Sequence, residues 1–336
     1  MPAHFGLDIG SSSIKLLEVK GKEVVSIGMA VNPIGKNDLN LVPKEKNQLA
    51  EAVSGLIKES KVKTRTVIMS VPESQVFTRV MSLPVMSTPE IASSIKWELD
   101  QVVPYPPDKI ETSWAVMYKP KKNTGAEKIQ VLVVAIPKNV SQSYVEFLAL
   151  VGLEPLRVEN EVVSLVRGVG GVKYKEETIL IMDMGASATK LAISEGGRIF
   201  NTHVIPIAGM ALTRMIAESF KLNLSQAEQY KRVYGIDASQ VEGKIVQATS
   251  GLMSGLVTEI KKVMSAFAVA ETGRQLSKLV LTGGSAYLKG LMPFLVDKLA
   301  LEVVLADGFE GVKVAEKSKN LGPVFGVVRG LTINED

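Results

Sequence analysis

Apolar residues recur along the chain in two rhythms, alternate positions and helical spacing. Phe5 to Ile9, Ile14 to Lys20 and Val24 to Val31 are strand-like runs separated by Gly10–Ser13 and by Gly21-Lys22, and they predict an antiparallel meander. Lys44 to Lys61 then carries Leu49, Val53, Leu56 and Ile57 at helical spacing, and Thr66 to Val71 is a compact β-branched strand. From Pro72 the pattern changes. Gln75 to Leu83 predicts a strand, and Thr88-Pro89-Glu90 a helix start with Thr88 as N-cap and Pro89 at the first position. Ile91, Ile95, Leu99 and Val102 give that helix one apolar stripe, which Pro104-Tyr105-Pro106-Pro107 ends. Ile110 to Tyr118 and Ile129 to Ile136 predict two strands around a polar loop, Lys119 to Lys128. Ser141 to Val151 predicts a helix closed by Gly152.

Downstream a helix is expected from about Glu159 to Val169, and then the opening rhythm returns. Ile179 to Met182, Lys190 to Ser194 and Arg198 to Ile205 predict a second meander. Gly209 opens a helix with Leu212, Met215, Ile216 and Ser219 on one face, and Ser225 to Glu228 starts another. Lys244 to Glu271 aligns Leu252, Leu256, Ile260, Val263 and Phe267. Lys278 to Leu281 is a strand running into Thr282-Gly283-Gly284-Ser285-Ala286, followed by a helix near Leu291 to Ala300 and a strand at Val303 to Leu305. A short helix around Gly322 to Leu331 ends the chain, with Gly326 and Gly330 spaced for close packing.

Both meanders turn on one octet. Asp8-Ile9-Gly10-Ser11-Ser12-Ser13-Ile14-Lys15 returns as Asp183-Met184-Gly185-Ala186-Ser187-Ala188-Thr189-Lys190. A single copy makes an ordinary β-turn. Two copies in matching contexts predict two similar halves, each giving one phosphate-cradling hairpin and one aspartate to a shared cleft that clamps a magnesium nucleotide. Asp8 and Asp183 are the candidates to orient magnesium through its water shell. Gly10, Ser11, Ser12, Ser13 and Lys15 are expected on phosphate from one side, and Gly185, Ala186, Ser187 and Thr189 from the other. Gly283, Gly284 and Ser285 either let a flat base approach the backbone or make a plain strand-to-helix turn. Ser225-x-x-Glu228 reads as a capping box, or else Glu228, Lys231 and Arg232 grip ribose and base from one helical face.

The 336 residues, 46% hydrophobic, suffice for a large core and more than one domain. There is no cysteine and there are two histidines, so a disulfide framework and a zinc site of these residues are excluded. The net charge of +4 is scattered, with its densest run, Lys119 to Lys122, in the expected hairpin tip, which disfavours a nucleic-acid surface. No signal-peptide pattern opens the chain and no apolar run approaches the roughly 20 residues of a membrane span, so a cytoplasmic protein is expected.

Two Asp-x-Gly hairpins, Gly209, Glu228-x-x-Lys231-Arg232 and Gly283-Gly284, in this order, resemble the actin, sugar-kinase and heat-shock-chaperone ATPase superfamily. That resemblance implies an α/β fold in which two ribonuclease-H-like halves close on ATP with magnesium (Mg2+). Residues 1–73 would form part of the first half, 74–157 an inserted small α+β subdomain, and 158–177 a helix returning to the first half. Residues 178–336 would form the second half, with a helical subdomain at about 222–275 and a C-terminal helix packing back on the first half. The first octet looks like that of the FtsA/PilM branch. Glu90-Ile91 through Ile95-Lys96-Trp97-Glu98 to Val103-Pro104-Tyr105-Pro106 is similar to a stretch typical of the PilM family of type IV pilus assembly.

Membership of that branch implies a cytoplasmic ATP-binding scaffold held at the inner membrane by the N-terminal tail of a PilN-like protein. The tail would lie in a groove between insertion and main body, with Trp97 and Tyr105 contributing. FtsA differs in ending with a basic amphipathic membrane helix, whereas this chain ends in the acidic Thr332 to Asp336. Glu159 and Glu161 stand where actins place a glutamine and are the candidate water-activating bases, with hydrolysis slow or incidental. Ala186 and Ala208 depart from the superfamily pattern in ways that would loosen phosphate contacts. A filament-forming division protein and a small-molecule kinase are the alternatives.

Overall fold

The structure is a computed structural model describing residues 2–120, 128–171 and 173–333. Most of the expected loop from Lys119 to Lys128, including Lys121 and Lys122, lies outside these residues, as do Asn334 to Asp336.

β1 (Phe5–Ile9), β2 (Ser13–Lys20) and β3 (Glu23–Val31) form the first meander, α1 (Pro43–Glu59) follows, and β4 (Thr66–Val71) lies parallel to β1. Phe5, Leu7 and Ile9 share a core with Leu49, Val53 and Leu56 of α1, so strand alternation leaves Gly6 and Asp8 on the opposite face.

The insertion consists of β5 (Phe77–Pro84), α2 (Thr88–Val102), β6 (Ile110–Tyr118) and β7 (Lys128–Pro137), with strand order β5-β7-β6. Ile91, Ile95 and Leu99 of α2 pack on Met81, Val131 and Val133 in a core of its own. Ser87, not Thr88, is the N-cap. The Glu90 carboxylate reaches back to accept from both the N–H and the hydroxyl of Ser87 at 2.7 Å. α3 (Lys138–Leu150) buries Tyr144, Phe147 and Leu148 in the core of the first half.

β8 (Glu154–Asn160) pairs parallel to β4 and completes the order β3-β2-β1-β4-β8. This strand is absent from the sequence expectation, which begins a helix at Glu159. Helix α4 (Glu161–Leu165) instead starts after Asn160, whose side-chain oxygen accepts from the N–H groups of Val162 at 2.7 Å and Val163 at 3.1 Å. A π-helical turn at Val166–Gly170 carries the chain into the second half.

There β9 (Thr178–Met184), β10 (Thr189–Glu195) and β11 (Arg198–Ile205) form the second meander, followed by α5 (Gly209–Phe220), α6 (Leu224–Tyr234) and α7 (Lys244–Ala270). β12 (Lys278–Thr282), α8 (Leu291–Leu299) and β13 (Glu302–Leu305) complete the order β11-β10-β9-β12-β13, which repeats the first sheet strand for strand. The capping box of α6 is Asn223 with Gln226, not Ser225 with Glu228, so Glu228 is free of capping work.

The last helix, α9 (Gly326–Leu331), crosses α4 between the sheets. A Cβ on Gly330 would overlap the Ser164 carbonyl, one on Gly168 the Gly326 carbonyl, and one on Gly6 would lie 2.7 Å from the Val328 carbonyl. Val162, Leu165, Val166, Val169 and Val327 pack against Ile179, Ile181 and Ala192 of the second sheet. The inner faces of the two sheets therefore look toward each other across α4 and α9, and Asp8 and Asp183 both lie on them. No helix among the described residues is long and apolar enough to cross a membrane.

Candidate functional site

Each octet forms a tight hairpin closed by backbone. Gly10 donates to Ser13 O at 3.0 Å, and Gly185 to Ala188 O at 3.1 Å. The register sets Asp8 opposite Lys15 and Asp183 opposite Lys190. The ammoniums meet the carboxylates at 2.9 Å and 3.0 Å respectively. The hairpin tips touch across the cleft, Ser11 Oγ donating to Ser187 Oγ at 3.1 Å. Ser70 at the end of β4 donates to the other oxygen of Asp8 at 2.7 Å. Burial pushes the Asp8 carboxyl up, but Lys15, the Ser70 hydrogen bond and the field of Lys190 together hold it below the ordinary carboxylate value.

Thr189 does not face the cleft. It is fully buried and donates to Ile207 O at 2.6 Å, fixing the hairpin to the segment that leads into α5. Gly209 and Met210 then donate to the carbonyls of Gly185 and Ala186 at 3.1 Å and 2.8 Å, so the first turn of α5 braces the hairpin.

Lys190 also meets Glu161 Oε2 at 2.9 Å. Burial pushes Glu161 above the ordinary carboxylate value despite Lys190. Burial pushes Lys190 down, but Asp183 and Glu161 outweigh it and raise Lys190 above its ordinary value. Glu159 has a different setting: it lies in β8, and its carboxylate is taken by Arg157 and Arg167. The sequence gives Lys190 no role beyond its place in the octet, although alignment with Lys15 carries the signal. Ser70 belongs to no motif, and neither does Glu73, whose N–H donates to Glu161 Oε1 at 2.9 Å.

A third wall adjoins the second hairpin. Gly283 has φ of +92°, and a Cβ there would overlap Asp183 Oδ1, so only glycine fits. Ser285 Oγ approaches Gly185 O at 3.3 Å. Gly284 has open space where its Cβ would be. Lys231 Nζ reaches Gly209 O at 3.0 Å, Thr213 Oγ1 at 2.9 Å and Glu228 Oε2 at 2.6 Å. Arg232 pairs with Glu228 at 2.9 Å from an exposed position. Glu228, Lys231 and Arg232 thus form one polar cluster next to the α5 start.

A separate groove of about 340 Å³ runs between insertion and first half, lined by Phe77, Val103 and Tyr105 on one side and by Asp38, Asn40 and Asn139 on the other. Tyr105 is half exposed there. Trp97 is 66% exposed on α2 but does not line this groove.

A family profile for the type IV pilus assembly protein PilM matches residues 6–323. The solved PilM-PilN type IV pilus biogenesis complex is similar, with a TM-score of 0.85 at 25% identity over 98% of this chain and 97% of that one. Ethanolamine utilization protein EutJ from Carboxydothermus hydrogenoformans has a TM-score of 0.60 at 16% identity, covering 99% of this chain and 89% of that one. MreB 5 of Spiroplasma citri bound to AMPPNP has 0.53 at 14%, covering 97% and 94%. Both show the fold. The cell division protein FtsA of Bacillus subtilis is 24% identical over 168 residues, 43% of this chain and 37% of that protein, well under two thirds of its length. FtsA of Streptococcus pneumoniae is 23% identical over 89% of this chain and 74% of that protein. The fold is actin-like, and the chain belongs to the PilM family of type IV pilus assembly proteins.

Proposed function

We propose that this protein is an ATP-binding scaffold of the type IV pilus assembly platform. Its groove takes the N-terminal tail of a PilN-like inner-membrane protein, and nucleotide in the cleft sets how well the groove receives it. The repeated Asp–Lys hairpins on facing sheets carry this reading. Asp8 and Asp183 would hold magnesium together with water and phosphate oxygens. The donor set fits that division of ligands: two carboxylates, one from each facing sheet, leave most of an octahedral magnesium shell to water and phosphate oxygens. Gly10, Ser11, Ser12, Ser13 and Lys15 would contact phosphate from one side, and Gly185, Ala186 and Ser187 from the other. Gly209, Gly283, Gly284, Ser285 and the Glu228–Lys231–Arg232 cluster would flank base and ribose. Magnesium, when bound, supplies neutralising charge to the phosphates.

Hydrolysis is slow in this reading, because Glu161 is engaged by Lys190 and Glu159 by arginines. The complex of a PilM with PilN supports the partner, and the protein would sit at the inner face of the cytoplasmic membrane through it. Calorimetric titration of the N-terminal peptide of the organism's own PilN-like protein, with and without magnesium ATP, tests the scaffold. Tight binding that changes with nucleotide is expected, and no binding in either state overturns it. Asp8→Ala and Asp183→Ala should each weaken magnesium ATP binding by about 100-fold, and unchanged affinity in both would refute the cleft assignment. The FtsA matches favour a second reading, a filament-forming protein, which ATP-dependent sedimentation would support.

A further inference from the structure

The chain leaves the first half for the insertion through one short segment, Ser70–Phe77, which touches the first hairpin, reaches the second through Glu161 and lines the groove. At its start Ser70 holds Asp8. Three residues on, the Glu73 N–H donates to Glu161 Oε1 at 2.9 Å, and the other oxygen of Glu161 meets Lys190, the partner of Asp183. The Glu73 carboxylate is itself buried. It accepts from Thr78 at 3.1 Å in the insertion, from the Asn160 amide at the end of β8, and from Thr202 at 2.8 Å on β11 of the second half. Glu73 therefore stands where the three bodies meet.

The opposite side of the same segment is groove wall. Ser74, Gln75, Val76 and Phe77 line it, and Gln75 Oε1 accepts from the buried Tyr144 hydroxyl at 3.1 Å. A polyanion and its cation entering the cleft would redistribute the pull on Lys190. Glu161, buried in a low-dielectric setting, cannot give up its partners without cost. Rotation of the second half would carry Thr202 relative to Asn160 and Thr78, so the Glu73 turn must follow or lose a bond. A packed polar junction of this kind switches between arrangements more readily than it stretches.

We propose that the segment Ser70–Phe77, pivoted on the Glu73 carboxylate, couples the nucleotide cleft to the partner groove, so that occupation of one changes the other. This rests on the scaffold reading above. The test is hydrogen exchange of the amides across residues 72–78 in the full chain, with and without magnesium ATP, alongside calorimetric ATP affinity. In the unmodified protein magnesium ATP should change exchange in this segment by about fivefold or more. Glu73→Gln, which replaces an acceptor oxygen by a donor, and the near-isosteric Thr202→Val should keep ATP affinity within about threefold while the exchange response shrinks below about twofold. Thr202→Val keeps the test open if Glu73→Gln fails to fold. ATP binding with no response in the unmodified protein, or a full response in both variants, overturns this segment as the route of coupling, while the scaffold reading stands or falls on the peptide titration. Failure of magnesium ATP to bind at all sinks both.

Discussion

In the first hairpin Lys15 meets one carboxylate, Asp8, whose second oxygen is held by Ser70. In the second, Lys190 is shared by Asp183 and Glu161, and Gly283 lies against Asp183. The octets are alike, so the difference comes from what each sheet's following helix brings. α4 begins Asn160-Glu161 and puts a carboxylate beside Lys190, whereas α9 begins Phe325-Gly326 and brings none to Lys15. One local pattern thus yields a simple ion pair in one half and a charge relay in the other, because long-range neighbours decide how far a buried charge is connected.

Removing the lysines tests this most strongly. Lys190→Met leaves two buried carboxylates without their cation and should cost about 3–5 kcal/mol in denaturant unfolding. Lys15→Met leaves one, still hydrogen-bonded to Ser70, and should cost at least about 1 kcal/mol less. Equal losses would erase the distinction. Next, Gly283→Ala sets a Cβ on Asp183 in a left-handed backbone and should cost about 1–3 kcal/mol. Gly10→Ala, whose Cβ meets nothing nearer than Ser13 O at 3.2 Å, should cost less than about 1 kcal/mol.

The smallest effect is in pH. Asp8, held below its unfolded value, stabilises the fold above that value and loses this only as pH falls through its lower folded value. Glu161, raised by burial, has the opposite sign: its cost is present at neutral pH and is relieved as pH falls through the raised value toward 4.5. Metal-free protein should therefore gain stability on mild acidification. Glu161→Gln should abolish that gain, and an unchanged gain would assign it elsewhere.

The meanders, the long helices and the two facing aspartates are legible in the sequence, because period-two and helical patterns report one-sided burial and the octet repeats. β8 is not, since Glu154-Pro155-Leu156-Arg157 lacks an apolar run. α3 has a clear stripe, but a stripe does not say which core it enters. Thr88 offers capping chemistry as good as that of Ser87, and only the reach of Glu90 decides between them. Glu73 is invisible for a deeper reason: its partners, Thr78, Asn160 and Thr202, come from three bodies and share no spacing.

The crossing of α4 and α9 fixes the spacing of the two halves. Where Gly330 meets Ser164 and Gly168 meets Gly326, backbone lies on backbone, while Val162, Leu165, Val166 and Val169 fill the space around these points. A single added methyl at either glycine would act as a wedge, driving apart the helices and with them the hairpin tips that meet at Ser11 and Ser187.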